Sequence, residues 1–209
     1  MEPPPLRSGD LRPIPASRVF GFRAILVLAG RAAHLEAVRQ RAGVLSKEGH
    51  LLVVSIRPMN ESEFQAFLAQ DIRDYAAEKV KSGNWTPDEA LHRSREAHDR
   101  LLPDGLTTHN QHLSIIELDT QPVGRVWLSS DPEAAGGAGF IYDLFVAQPF
   151  RRKGVARQAM ILLEEDALRL GLKSLALHVF GHSVAARALY EDLGYAITNV
   201  NMAKELSAA

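Results

Sequence analysis

Alternating apolar and polar residues divide the chain into short strands and amphipathic helices from residue 51 onward. The apolar, β-branched run at residues 51–56 predicts a strand. Asn60 and Glu63 have the spacing of a capping box, in which each side chain bonds a backbone N–H at a helix start. The apolar positions that follow recur at helical spacing. We therefore predict a first helix that begins at Glu61 and ends at Gly83.

A second helix and three further strands are predicted before residue 147. Thr86 is a suitable cap and Pro87 suits the first helical position, so this helix should extend to residue 102. Two apolar runs, residues 113–118 and 123–128, flank a short polar Asp-Thr-Gln-Pro connection and predict a β-hairpin. The run at 140–146, which follows a glycine-rich loop around Gly136–Gly137, predicts another strand.

Helices and strands alternate in the last part of the chain. We predict a helix over 157–170, a strand over 175–180, a helix over 183–193 and a last strand within 195–206. Gly171 directly follows the helix over 157–170, at the position where a left-handed cap favours glycine, and Gly194 ends the last helix. The predicted order is β-α-α-β-β-β-α-β-α-β, which belongs to the α+β class.

Residues 1–50 differ in composition from the rest of the chain. They hold eight Lys and Arg against four acids, and five prolines fall within the first fifteen positions. Residues 1–17 should therefore be extended or disordered, and 31–42 could form a short basic helix. Two interpretations stay open: a basic arm that contacts a partner, or a tail from a start codon assigned too far upstream. We divide the chain into a basic, proline-rich extension, 1–50, and a folded domain, 51–206.

The composition of the chain argues against several classes of function. The net charge of -1 argues against a nucleic-acid binder that neutralises many phosphates. The chain has no cysteine, which excludes disulfides, thiolate metal sites and an acyl-cysteine intermediate. The longest dense apolar run, residues 24–29, is too short to span a bilayer and lacks a clear cleavage site. We expect a cytoplasmic protein that binds neither nucleic acid nor membrane.

The loop between the strand at 140–146 and the helix that follows is the strongest local signal. Backbone N–H groups at a helix start have no partners within the helix and suit a phosphate. Gly154 removes a side chain that would block close approach, and Arg151, Arg152 and Lys153 add positive charge. Neither the three glycines of a dinucleotide fingerprint nor the Gly-Lys-Ser/Thr of a P-loop is present. The residues alone indicate either an anion site or a basic helix start with a small-residue turn.

Two segments together identify a resemblance. Residues 146–156, ending in Arg-Arg-Lys-Gly-Val-Ala, resemble the acetyl-CoA motif of the GNAT acetyltransferases, with Arg151, Gly154 and Ala156 at the motif positions. Residues 178–195 are similar to that family's second signature, including the Leu-Tyr that ends at Tyr190 and the following Leu-Gly-Tyr. The resemblance covers about residues 52–206. Ser183 departs from it, because the family usually has Asn there; a serine could still cap the helix through its hydroxyl.

The resemblance implies a fold, a donor and a set of residues that bind it. The fold would be a central, mixed, mostly antiparallel sheet flanked by helices, and the donor acetyl-CoA, without a metal. The implied donor-binding residues are Leu144, Phe145, Val146, Arg151, Arg152, Lys153, Gly154, Val155, Ala156, Ser183 and Tyr190. The backbone at Leu144–Val146 would pair with the pantetheine arm, and an N–H of Phe145 or Val146 would face the thioester oxygen.

Two residues are candidates for proton transfer. By resemblance, Tyr190 would protonate the departing thiolate; otherwise it is an aromatic residue that packs on its helix face. Asp143 could accept the proton of the amine, although an acid that is merely solvated or binds a cationic substrate is an equal alternative. Tyr142 and Glu117 are weaker candidates for the base. His109 and His112 are only a weak candidate metal pair.

The sequence therefore predicts an N-acetyltransferase that acts directly on a primary amine of a small molecule, peptide or protein. The protein would be a monomer or a homodimer. A non-catalytic sensor that binds acyl-CoA is the main alternative, and an interaction protein that acts through residues 1–50 is another. No signature identifies the acceptor.

Overall fold

The structure, a computed structural model, describes residues 40–45, 51–130, 137–202 and 204. Within this part of the chain, six strands form one sheet in sequential order from β1 to β6. The strands are β1 Gln40–Leu45, β2 Leu51–Pro58, β3 Gln111–Leu118, β4 Gln121–Ser130, β5 Ala138–Val146 and β6 Ser174–Leu177. Neighbouring strands are antiparallel except β5 and β6, which are parallel. The predicted α+β class with a mixed, mostly antiparallel sheet is confirmed.

In the described part of the chain, four α-helices accompany these strands. They are α1 Glu61–Lys81, α2 Pro87–Leu101, α3 Val155–Arg169 and α4 Val184–Asp192. Short 3₁₀ turns lie at Gly105–Thr107 and Gln148–Phe150. Among the described residues, no helix has the length and apolar character needed to cross a membrane.

The start of α1 has the predicted capping box. Asn60 Oδ1 accepts a bond of 2.9 Å from the backbone N–H of Glu63, and the Glu63 carboxylate accepts one of 2.9 Å from the N–H of Asn60. Each bond satisfies a donor that the helix itself cannot. The helix ends just before Gly83, which has a left-handed φ of +72°. Both predicted ends of α1 are confirmed.

The predicted hairpin is confirmed, with a tighter turn than expected. Asp119 and Thr120 have φ of +49° and +71° and form the two-residue connection between β3 and β4. Positive φ at both positions matches the right-handed twist of the paired strands. Gln121 and Pro122, which we had assigned to the connection, belong to β4.

Three sequence predictions are wrong in detail. Residues 40–42 belong to β1, which pairs with β2, and are not helical. Residues 195–202 form no strand, and β6 ends at Leu177 instead of continuing to residue 180. Strand pairing depends on partners distant in sequence, so local patterns do not settle it. The remainder of the 31–42 helix, residues 1–17, Gly136 and residues 205–206 lie outside the described residues, and the domain boundary near 51 stays a prediction.

Two apolar clusters lie on opposite faces of the sheet. On one face α3 packs through Val155, Met160 and Leu163. On the other, Phe64 and Phe67 of α1 surround Trp127, whose residue surface is 2% exposed. Burial of such side chains contributes roughly 1.5–3 kcal/mol each. Val155, the first residue of α3, and Val146, the last residue of β5, belong to the same apolar cluster, which holds the start of the helix near the end of the strand.

Candidate active site

A β-bulge in β5 decides which side chains face the site. Trp127 pairs with Asp143, but the next residue of β4 pairs with Ile141, so Tyr142 is the extra residue. The ring of Tyr142 lies 4.7 Å from that of Trp127, and Asp143 bonds to Arg125. Tyr142 and Asp143 therefore face the α1–α2 side together, although adjacent residues of a regular strand point to opposite faces.

A cleft opens where β5 and β6 separate. The two strands pair only up to Ile141 and Leu177. Beyond that pair lies a cavity of about 170 Å³. It is lined by Ile141, Tyr142, Asp143, Leu144, Leu177, His178, Val179, Phe180, Ser183, Ala186 and Tyr190. Along the cleft, β5 is paired with β4 on one edge only, so its other edge can pair with an extended ligand.

Tyr190 of α4 lines this cleft and also packs against the core. Its ring meets that of Tyr195 in a T-shaped contact at 5.9 Å. Burial, together with the nearby charge of Asp143, raises the pKa of Tyr190 to about 12. The phenol is therefore protonated at neutral pH and can donate a proton into the cleft.

Asp143 of β5 lines the same cleft. Its side chain is 18% exposed, and Oδ2 lies 2.7 Å from Arg125 Nε. Burial and the carboxylate of Asp71 raise the pKa of Asp143 to about 6, although Arg125 opposes this rise. The group is mainly a carboxylate at neutral pH, yet basic enough to accept a proton.

A chain of polar contacts continues behind Asp143. Arg125 Nη2 lies 3.1 Å from Asp71 Oδ1, and Asp71 Oδ2 lies 2.9 Å from His98 Nε2. The other ring nitrogen of His98 lies 2.8 Å from the carbonyl oxygen of Ser94. Although burial opposes it, the bonds to Asp71 and Ser94 raise the pKa of His98. This network is not among the features predicted from the sequence. The one local signal for it is Arg125, a charged residue within the apolar run 123–128, which indicates that the guanidinium needs a buried partner.

The loop before α3 has the backbone of an anion site. Gly154 is the cap of α3 and has φ +81°, and Arg152 has φ +61°. This left-handed cap leaves the first N–H groups of α3 directed away from the helix. Arg151 Nε donates a bond of 2.6 Å to the carbonyl oxygen of Val146, which ties the loop to the end of β5. The side chains of residues 151–153 are exposed around the helix start.

The family is decided by sequence comparison. Residues 76–195 match the family model of the acetyltransferase (GNAT) family. The chain belongs to the GNAT family. It is thereby an acyltransferase, and the predicted GNAT fold is confirmed.

Individual relatives agree with this assignment. The chain is 39% identical to YycN and 36% identical to YdgE, two Bacillus subtilis proteins named as uncharacterized N-acetyltransferases. Each alignment spans 74% of this chain and 99–100% of the relative. The crystal structure of Bacillus subtilis YycN superposes with a TM-score of 0.71, over 74% of this chain and 99% of that one. A GNAT structure from Ralstonia eutropha, 20% identical, has a TM-score of 0.53 over 73% and 98% of the two chains and shows the fold alone.

Some residues of the predicted site line the cleft and others do not. Asp143, Leu144, Ser183 and Tyr190 line it. Phe145 lies instead beneath the guanidinium of Arg125, with 4.6 Å from Cζ to the ring centroid.

Two further residues of the predicted donor site belong to the core. The side chains of Val146 and Val155 are buried. Any contact of these two residues with a donor would therefore involve the backbone.

Ser183 differs from its prediction. It occupies the cap position of α4, but its hydroxyl accepts no hydrogen bond from the helix. Its φ of -85° and ψ of +58° are not those of an extended cap residue. The predicted side-chain cap is wrong, while the residue itself faces the cleft.

Of the two weaker candidates for the base, one lies in the cleft and the other does not. Tyr142 lines the cleft, whereas Glu117 is buried elsewhere in the sheet, 2.7 Å from Arg57 Nε.

His112, of the candidate metal pair, bonds to the hydroxyl of Ser130 at 2.6 Å. Within the described residues, no group of three His, Asp or Glu side chains is arranged to hold a metal.

Proposed function

We propose that the chain transfers an acetyl group from acetyl-CoA directly to a primary amine. The observation that supports this best is the cleft between β5 and β6. Asp143 and Tyr190 line this cleft, and along it the edge of β5 that faces β6 has no strand partner among the described residues. Since the chain has no cysteine, the acyl group has no thiol on the protein to which it could transfer first.

The residues around the loop fit the donor. The backbone N–H groups at Gly154, Val155 and Ala156 would bind the pyrophosphate, with Arg152 and Lys153 supplying charge. The strand edge at Leu144–Val146 would hold the pantetheine arm, and an N–H of Phe145 or Val146 would stabilise the oxyanion. Ser183 would contact the donor from the other wall. Bound acetyl-CoA supplies the activated acyl group.

Asp143 and Tyr190 divide the proton transfers. Asp143, with its pKa raised to about 6, accepts a proton from the attacking amine directly or through water. Tyr190 donates its phenolic proton to the departing thiolate, whose parent thiol has a pKa of roughly 8.5. A phenol is protonated at neutral pH, so Tyr190 holds its proton until that step.

The test is thiol release from acetyl-CoA across a panel of amines and peptides. We expect release with wild type and its loss in the double variant Arg152→Glu, Gly154→Pro, because charge and backbone geometry are both removed from the loop. Arg73→Glu, which changes an exposed cation on α1, is the matched control. Turnover that persists in the double variant contradicts the donor site. A chain that binds acetyl-CoA but releases no thiol with any amine would instead be the sensor considered above.

A further inference from the structure

Lys79, near the end of α1, lies close to three aromatic rings, one of which lines the cleft. Its Nζ lies 5.3 Å from the ring centroid of Tyr75, 5.5 Å from that of Trp85 and 5.9 Å from that of Phe180. The rings of Tyr75 and Trp85 meet edge to face at 5.4 Å. Phe180 also lines the cleft, so the ammonium group of Lys79 lies one aromatic ring away from the cavity.

This ammonium has no carboxylate partner among the described residues. The adjacent acid, Glu78, contacts Lys81 and His182 instead. Aromatic faces attract a cation but leave its N–H donors without strong acceptors. Burial lowers the pKa of Lys79, which shows that the surroundings compensate its charge incompletely. The charge also acts at the cleft, since it adds to the effect of burial in lowering the pKa of His178.

The α1–α2 side of the cleft also has an acidic centre. Asp143, Asp71 and Asp74 share the single guanidinium of Arg125. Tyr75 connects the two centres: its ring faces Lys79, and its pKa is raised by burial and by the charges of Tyr142 and Asp71. An acidic cluster and a basic group therefore lie near the same cleft, and both involve residues of α1.

We propose that the amine acceptor also carries a carboxylate, which binds Lys79 while the amine is directed to Asp143. The inference rests on the proposed function and specifies its acceptor class: amino acids or other amines that bear a carboxylate. A carboxylate supplies the charged hydrogen-bond acceptor that the rings lack. An acceptor without one leaves the ammonium unpaired, and a diamine is repelled by it. Lys79 binds the acceptor away from the reacting atoms, so its effect falls on KM rather than kcat.

The experiment compares amino acids with their carboxamides as matched acceptors in the thiol-release assay at saturating acetyl-CoA. Wild type, Lys79→Met and Lys79→Gln are measured with each pair. We expect the acid-to-amide ratio of kcat/KM to fall about tenfold in both variants, through KM of the acid, as loss of one good ion pair predicts. The different basicity of the two amines cancels in this comparison between enzymes. Lys79→Arg should keep the ratio, and Lys81→Met, which changes an exposed cation two residues away, should leave it unchanged.

The outcomes separate this inference from the proposed function. Equal acid-to-amide ratios in wild type and variants would overturn the inference, as would release only from amines without a carboxylate. A higher KM for acetyl-CoA with an unchanged acceptor preference would assign Lys79 to the donor and also overturn it. No release from any acid, amide or peptide would contradict the proposed function itself. Thermal unfolding and the KM for acetyl-CoA check that each variant is folded. If Lys79→Met does not fold, Lys79→Gln still provides the test.

Discussion

The guanidinium of Arg125 binds the carboxylate of Asp143, with 2.7 Å between Nε and Oδ2. The same guanidinium, whose side chain is 12% exposed, also contacts Asp71 at 3.1 Å and Asp74 at 3.6 Å. One buried cation is therefore shared among three acids, one of which, Asp71, also contacts His98. The proton affinity of the proposed base depends on how this cation is shared, since an ionised neighbour disfavours a second negative charge.

Asp71→Asn should move the acidic limb of the pH profile to lower pH. Asp143 must be a carboxylate to accept a proton, so activity falls as the pH falls through its pKa, about 6 in wild type. Asp71 raises that pKa. Without the charge of Asp71, the guanidinium of Arg125 also interacts more strongly with Asp143, which lowers the pKa further. The measurement is kcat/KM as a function of pH. Asp74→Asn, at a more distant and more exposed site, should give a smaller shift in the same direction. A limb that stays fixed or moves upward would show that Asp143 does not control it.

Tyr190→Phe should lower kcat about a hundredfold and leave acetyl-CoA binding nearly unchanged, because the variant lacks only the proton donor. Steady-state thiol release gives kcat, and calorimetry with CoA gives the affinity. Tyr195→Phe is the matched control, since its ring packs on Tyr190 but does not line the cleft. Similar losses of kcat in both variants would assign Tyr190 to packing rather than to proton transfer.

Local features of the fold could be predicted from the sequence. The Asn60–Glu63 box involves residues three positions apart, and the left-handed cap at Gly154 requires only a glycine before a helix. In both cases the atoms that determine the structure belong to neighbouring residues. The same holds for the loop of the candidate site, which the sequence placed correctly at the start of α3.

Features that depend on distant partners could not be predicted. Arg125 and Asp71 are 54 residues apart, and His98 and Asp71 are 27 apart. The bulge at Tyr142 depends on the register between β4 and β5, which no local pattern in β5 specifies. The sequence named Asp143 as a candidate base, but the charges that tune it and the face on which it lies depend on these distant contacts and could not be predicted.

Gly124→Ala should destabilise the fold and lower activity. A Cβ at Gly124 would lie 2.3 Å from the carbonyl oxygen of Phe145, a backbone atom that can move only with β5. We expect a loss of about 1–3 kcal/mol in the free energy of unfolding, typical of forced overpacking. Denaturant unfolding measures it. Gly181→Ala is the control, because a Cβ there meets nothing within 4 Å. Equal stability of the two variants would show that β4 and β5 adjust without strain.

The double variant Arg152→Ala, Lys153→Ala should weaken acetyl-CoA binding and leave kcat nearly unchanged. Both side chains are exposed beside the left-handed cap of α3, so their loss removes charge without disturbing the core. We expect KM for acetyl-CoA to rise about tenfold at low salt, and by less at high salt because ions screen exposed charges. Initial rates at two ionic strengths measure both effects. Arg93→Ala, a partly exposed cation on α2, should change neither. An unchanged KM for acetyl-CoA would show that the two side chains do not bind the donor and would leave only the backbone N–H groups of the loop. A fall in kcat alone would place these cations near the reacting atoms instead.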